Sequence, residues 1–294
     1  MKLAYAAVAL SFALIGCRDG AAPPPVPSAG AAVVGVPVSS TAGTANAAVV
    51  GAASTASAVA STPSATTAAA RTPVEPTRLR VPGDLPASIV RSPGGAAPTT
   101  VFLPGVCSNA FAYLLGFPNA AASHGGVVAL DGDAPCGDDP AFRTFTSNPD
   151  LQHHRIEAAL AAAGLNEIPS QGITLVGYSR GATIAEKLAL RWPERYTRVV
   201  LIGSPVDPSP SFLAKTRAVV TMSCSLDVPP RMREGANKID RSGVPATYFE
   251  MPGCTHGNIA DGEHVFAEAF DWLGAHQRPA QLPALATPIV GALD

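Results

Sequence analysis

From about residue 78 onward, short apolar runs rich in β-branched residues alternate with stretches in which apolar residues recur at helical spacing. Residues 100–103, 126–130, 173–176, 198–202, 218–222 and 246–250 read as strands, and residues 150–163, 182–192, 231–239 and 264–275 as amphipathic helices. Gly164 stands where the first of these helices would stop. Strand and helix in alternation imply an α/β domain with a mainly parallel sheet. Residues 79–81 and 87–90 add one or two edge strands ahead of it. The stretch 202–218 leaves room for one short helix between two strands.

The first quarter of the chain has a different pattern. After a single Lys2, residues 3–15 are an apolar run followed by a small residue, the form of a secretion signal and too short for a stable membrane-spanning helix. Leu14-Ile15-Gly16-Cys17 resembles a bacterial lipobox, which implies that residues 1–16 are removed and Cys17 is acylated as the mature N-terminus. A plain signal peptide cut elsewhere is the alternative. Arg18 stands where the family uses Asp for inner-membrane retention, so the resemblance implies an outer-membrane or cell-surface location. From Cys17 to Ala70 the only charges are Arg18 and Asp19, and no Phe, Tyr or Trp lies between Phe12 and Phe102. Such a stretch cannot bury a core, so residues 17–77 are expected to be a disordered tether, with a glycosylated or partner-binding stalk as the other possibility. Residues 279–294, rich in Pro and Ala, read as an irregular tail.

Composition narrows the function. The chain of 294 residues is 47% hydrophobic with a net charge of −2, which excludes a basic nucleic-acid binder as the leading idea. The mean hydropathy of +0.22 comes largely from the Ala- and Val-rich tether and does not mark an integral membrane protein.

The chemistry centres on Gly177-Tyr178-Ser179-Arg180-Gly181, lying between the strand at 173–176 and the helix at 182–192. This strand, G-x-S-x-G and helix resemble the nucleophile elbow of the α/β-hydrolase fold, in which the glycines leave room for a strained turn that lifts the serine hydroxyl above the sheet. A glycine-rich turn with a capping serine is the bland alternative. In this family the order Ser, acid, His implies that the base follows Ser179. His256, in Pro252-Gly253-Cys254-Thr255-His256-Gly257-Asn258, follows a strand as the family's catalytic histidine does, whereas His264 and His276 fall in the terminal helix. Asp227, just past the strand at 218–222, is the expected acid; Asp207, after the preceding strand, is the other candidate.

The resemblance implies roles for these residues. His256 would take the Ser179 proton and return it to the leaving group, Asp227 would orient the imidazole, and an acyl-enzyme would form on Ser179. The backbone N–H groups of Arg180 and Val106 would form the oxyanion hole, although Leu103-Pro104-Gly105-Val106 stands where relatives show His-Gly-x. The Arg180 side chain is left either to meet an anionic substrate or to remain solvated. With Cys17 lipidated, four cysteines remain, and neighbouring strands in this fold imply the pairs Cys107–Cys136 and Cys224–Cys254. Four free thiols or a metal site are the competing possibilities; no pair has C-x-x-C spacing, and His153-His154 lies on a separate helix.

These expectations add up to an uncapped, lipid-anchored serine hydrolase of the bacterial cell envelope, acting on small-molecule carboxylic esters without cofactor or metal. A lipase or polyester hydrolase of the same fold, or a catalytically silent domain that binds an envelope partner, are the alternatives.

Overall fold

The computed structural model describes residues 74–279; the expected signal sequence and lipidation site Cys17, nearly all of the expected tether and the expected tail beyond residue 279 lie outside them. A β-hairpin of β1 (Thr77–Leu79) and β2 (Ala87–Val90) opens the domain, followed by β3 (Thr100–Leu103), α1 (Ala110–Leu114), α2 (Pro118–Ser123) and β4 (Val127–Ala129). A small hairpin of β5 (Ala134–Pro135) and β6 (Arg143–Thr144) leads to α3 (Pro149–Ala162), β7 (Ile173–Tyr178) and α4 (Arg180–Arg191). The chain then runs through β8 (Tyr196–Ile202), α5 (Pro210–Leu213), β9 (Ala218–Cys224), α6 (Pro229–Arg241), β10 (Ala246–Met251) and α7 (Gly262–His276).

Eight strands form one sheet in the order β1-β2-β4-β3-β7-β8-β9-β10. The β1–β2 and β2–β4 pairs are antiparallel, and every pair from β4 to β10 is parallel. Parallel strands need helical crossovers, so helices cover both faces and the central strands are buried on both sides. All six residues of β7 are buried, with Leu175 in one core cluster and its neighbour Val176 in the other. One cluster gathers Ile156 and Leu160 of α3, Ile184 and Leu188 of α4, and Met232 and Ile239 of α6. The opposite cluster is capped by α1, α2 and α7, where the Phe117 and Phe266 rings stack with centroids 3.8 Å apart. Truncating either ring to alanine would cost about 3–5 kcal/mol.

This is the α/β-hydrolase architecture with no large cap: the only element between β8 and β9 is the four-residue α5. Strand order reverses between β3 and β7, because the chain leaves β3 for β4 on one side and returns to β7 on the other. Open α/β sheets bind ligands at the C-terminal end of the strands beside such a reversal.

Several elements differ from the sequence expectation. β1 lies two residues earlier than the expected 79–81, and α4 starts at Arg180, two residues earlier than the expected 182. Neither α1, α2 nor the β5–β6 hairpin was expected from the sequence pattern, because elements of two to six residues are too short to display a period.

Candidate active site

The loops at the C-terminal ends of β3, β7, β8, β9 and β10 converge on Ser179. In the elbow Ser179 adopts φ +51°, a left-handed backbone that a side chain takes at a cost, and its N–H donates to the Ile202 carbonyl at 2.8 Å. The glycines of the motif have steric reasons to be there. A Cβ on Gly181 would collide with the Leu103 carbonyl, and one on Gly177 with the Gly181 carbonyl. The close approach of β3, β7 and α4 therefore requires both.

Ser179 Oγ lies 2.9 Å from His256 Nε2, and His256 Nδ1 lies 2.8 Å from Asp227 Oδ2. With Nδ1–H donating to the carboxylate, Nε2 is left as the acceptor for the serine hydroxyl. Asp227 lies just beyond β9, its side chain only 9% exposed, while His256 is 47% exposed on the loop after β10. Asp207, the alternative acid, is 72% exposed and is paired with Arg231 at 3.5 Å and Lys238 at 3.9 Å. His264 forms an i,i+4 pair with Glu268 on α7, and His276 stacks on Trp272. Of the candidate acids and bases, the structure thus brings Asp227 and His256 to Ser179 and leaves Asp207, His264 and His276 apart.

Two loops are held in register beside this line. The Cys224–Cys254 disulfide closes a 30-residue separation between the acid and histidine loops. Leu226 N–H donates to the Cys254 carbonyl at 3.1 Å, and Gly253 N–H to Ser225 Oγ at 2.9 Å. The second disulfide, Cys107–Cys136, ties the loop after β3 to the β5–β6 hairpin, whose Arg143 exchanges backbone hydrogen bonds with Ser108 at 3.1 and 3.2 Å.

The loop after β3 passes directly over the serine. A Cβ on Gly105 would sit 3.3 Å from Ser179 Cβ, and the Ser108 hydroxyl donates to the Gly105 carbonyl at 2.6 Å. Among the described residues no hydrogen bond engages the Val106 N–H. At the first position of α4, Arg180 N–H is one of the donors that a helix start leaves unused. The Arg180 side chain is half-buried rather than freely solvated, because it donates to the Phe145 carbonyl at 3.3 Å and to Ser147 Oγ at 2.6 Å.

Gly203 is a site residue that the sequence reading missed. It follows β8 with φ +52°, and a Cβ there would lie 2.8 Å from Asp227 Oδ2 and 3.2 Å from His256 Nδ1. Only a bare backbone fits against the acid–histidine pair. The available signal was a glycine at the end of a strand next to the elbow strand, too common to single out by itself.

Burial perturbs one carboxyl behind the elbow. Glu186, on the core side of α4, accepts the Ser209 N–H at 2.7 Å, and desolvation pushes its pKa up to about 7 against that hydrogen bond.

No family model and no curated protein matches this sequence. Among solved structures the chain is similar to the esterase domain of a Rhodothermus marinus protein, at 15% identity over 69% of this chain and 99% of that one, with a TM-score of 0.46. It is similar to a Bacillus cereus carboxylesterase at 17% identity over 65% and 93% of the two chains, with a TM-score of 0.46. An esterase named PE8 is 20% identical over 68% of this chain and all of its own, with a TM-score of 0.49. At such identities the likeness is one of architecture alone.

Proposed function

We propose that the protein is a serine hydrolase that cleaves carboxylic esters through an acyl-enzyme on Ser179. The observation that carries this reading is the unbroken line from Ser179 Oγ to His256 Nε2 at 2.9 Å and from His256 Nδ1 to Asp227 Oδ2 at 2.8 Å. His256 removes the hydroxyl proton as Ser179 Oγ attacks the ester carbonyl, and then delivers that proton to the departing alcohol. Asp227 fixes the imidazole tautomer and stabilises its charged form. The N–H groups of Val106 and Arg180 receive the oxyanion, with Gly105 letting the β3 loop approach closely enough. Water then enters by the same route, activated by His256, and frees the acid.

The same reach among the three side chains counts against a catalytically silent binding domain. The small α5 in place of a cap leaves His256 exposed and the cleft open to bulky esters. A lipase or polyester hydrolase is the second reading, favoured by exposed apolar side chains on the site's own loops: Val106, Val206 and Leu226, the last 68% exposed. On the lipobox pattern, Cys17 carries the acyl anchor and the domain stands off the outer membrane on residues 17–77. Each buried acyl methylene adds about 0.8 kcal/mol, so more than one chain makes the anchor firm.

Release of p-nitrophenol from p-nitrophenyl butyrate tests the activity. A pre-steady-state burst of about one equivalent per Ser179 is the expected result, and a folded protein without turnover would contradict the reading. Comparing that soluble ester with an emulsified triglyceride or a polyester film separates the first reading from the second.

A further inference from the structure

The side chain immediately before the nucleophile plays no part in the steps above, yet it reaches the general base. Tyr178 closes β7 and is 1% exposed. Its phenol oxygen accepts the Gly257 N–H at 2.8 Å and donates its proton to the Asn258 carbonyl at 3.2 Å, so both of its capacities are used on the two residues after His256. Its ring stands at 63° to the His256 imidazole with centroids 5.5 Å apart, and it is braced from elsewhere by the Tyr113 ring at 5.1 Å. Burial pushes the phenol's pKa up, so the proton it donates stays in place across the working range.

Besides the phenol, this end of the turn that carries His256 touches the disulfide, with Cys224 Sγ 3.5 Å from the Asn258 carbonyl, and packs Ile259 on the core. Its remaining hydrogen bonds at Asn258 are internal, from the backbone N–H to the Thr255 carbonyl at 3.2 Å and from the amide to Thr255 Oγ1 at 3.1 Å. Gly253 and Gly257, with φ of +72° and +92°, give the turn a backbone that tolerates movement. The Cys224–Cys254 bond fixes the turn two residues before His256. The phenol fixes it one residue after.

We propose that Tyr178 is a positioning residue for the general base, setting the place of His256 relative to Ser179 by bridging the covalent neighbours of both. The inference rests on the reading of Ser179 and His256 as nucleophile and base. A displacement of the imidazole away from Ser179 must stretch the bonds from the phenol to Gly257 and Asn258, because Tyr178 is the residue to which Ser179 is itself joined. The distance that governs proton transfer is thus fixed through one side chain as well as through the packed sheet. This tether acts in acylation and deacylation alike, since His256 moves a proton in each.

The test is Tyr178→Phe in the full chain, which keeps the ring and removes the hydroxyl. Hydrolysis of p-nitrophenyl butyrate is expected to lose about 10- to 100-fold in kcat with KM nearly unchanged, the scale of an ångström-level misplacement of a catalytic group. Labelling by a fluorophosphonate should slow by the same factor, measured well below the melting temperature of either protein. A purely structural tyrosine would lower the melting temperature and leave both rates alone, and that result overturns the inference. A parent that takes no label overturns the reading of the site itself, so the two failures are distinct. Should the variant not fold, hydrogen exchange at the Gly257 amide of the unmodified chain decides: strong protection supports the tether, and exchange at the rate of an open loop refutes it.

Discussion

His256, His153 and His124 each face a hydroxyl and a carboxylate, and the first two are built for opposite ends. His256, at the loop edge, has Ser179 Oγ on one ring nitrogen at 2.9 Å and Asp227 on the other at 2.8 Å, and is open to solvent. His153, in the helical layer, turns a single nitrogen, Nδ1, toward both Tyr196 OH at 2.7 Å and Glu157 at 4.0 Å. Trp192 stacks on the His153 ring with centroids 4.0 Å apart, and Glu157 is already paired with Arg195. Desolvation first, and then the charge of Arg195, push the His153 pKa down to about 4, so it stays neutral. The same three kinds of group can relay a proton only where the imidazole lies between them with one nitrogen free to accept: His153 turns one nitrogen to both, and His124, between Ser123 Oγ and Asp271, spends its Nδ1–H on the Ala120 carbonyl at 2.7 Å. Glu186 shares the character of the helical layer, a carboxyl held back from ionising by burial.

The sharpest way to break this contrast is to remove each set in turn. Ser179→Ala or His256→Ala should lower kcat by about 10⁴-fold or more with little change in melting temperature, whereas His153→Ala should leave kcat intact and destabilise the fold. Assays of ester hydrolysis beside thermal melts check both halves. Asp227→Asn should cost about 10³- to 10⁴-fold in kcat by giving the imidazole the wrong tautomer, while Asp207→Asn, at an exposed ion pair, should leave kcat near that of the parent.

Smaller effects sharpen the comparison. Reduction with dithiothreitol should lower the melting temperature, since the chain-entropy model gives about 3–4 kcal/mol for closing a loop the size of Cys224–Cys254. An unchanged melting curve would count against the disulfide's holding role. For Glu186 the folded-state pKa lies above its unfolded value, so the native protein binds more protons between about pH 4 and 7, and stability falls as pH rises through that window. The loss is of order 3 kcal/mol, and Glu186→Gln, which can still accept the Ser209 N–H, should flatten it in urea titrations at pH 5 and pH 8. His153 gives the opposite slope, with stability lost as pH falls from about 6.5 toward 4. Last, Gly203→Ala should lower kcat about 10- to 100-fold, because the added methyl displaces the Asp227–His256 pair.

The sheet was legible because its central strands are buried on both faces and so read as continuous β-branched runs; β7 and β9 run two residues past their expected ends, and β8 starts two residues early and ends as expected. α1 and α2 were not, since five and six residues rich in alanine carry no helical period. Ser179 and His256 could be picked out from a motif and a chain order. Asp227 was the expected acid, but Asp207 also follows a strand and stayed a candidate, and it is burial and ion pairing that separate the two. The contact between Tyr178 and residue 257 spans 79 positions, and no local pattern signals it.

The central claim is that His256 activates Ser179. Treating the purified protein with a fluorophosphonate and locating the adduct by peptide mass spectrometry tests it directly. One phosphonyl group on Ser179, absent from the Ser179→Ala and His256→Ala variants and retained in His153→Ala, is the predicted result. A folded protein that takes no label at Ser179, or takes it equally without His256, would contradict the account.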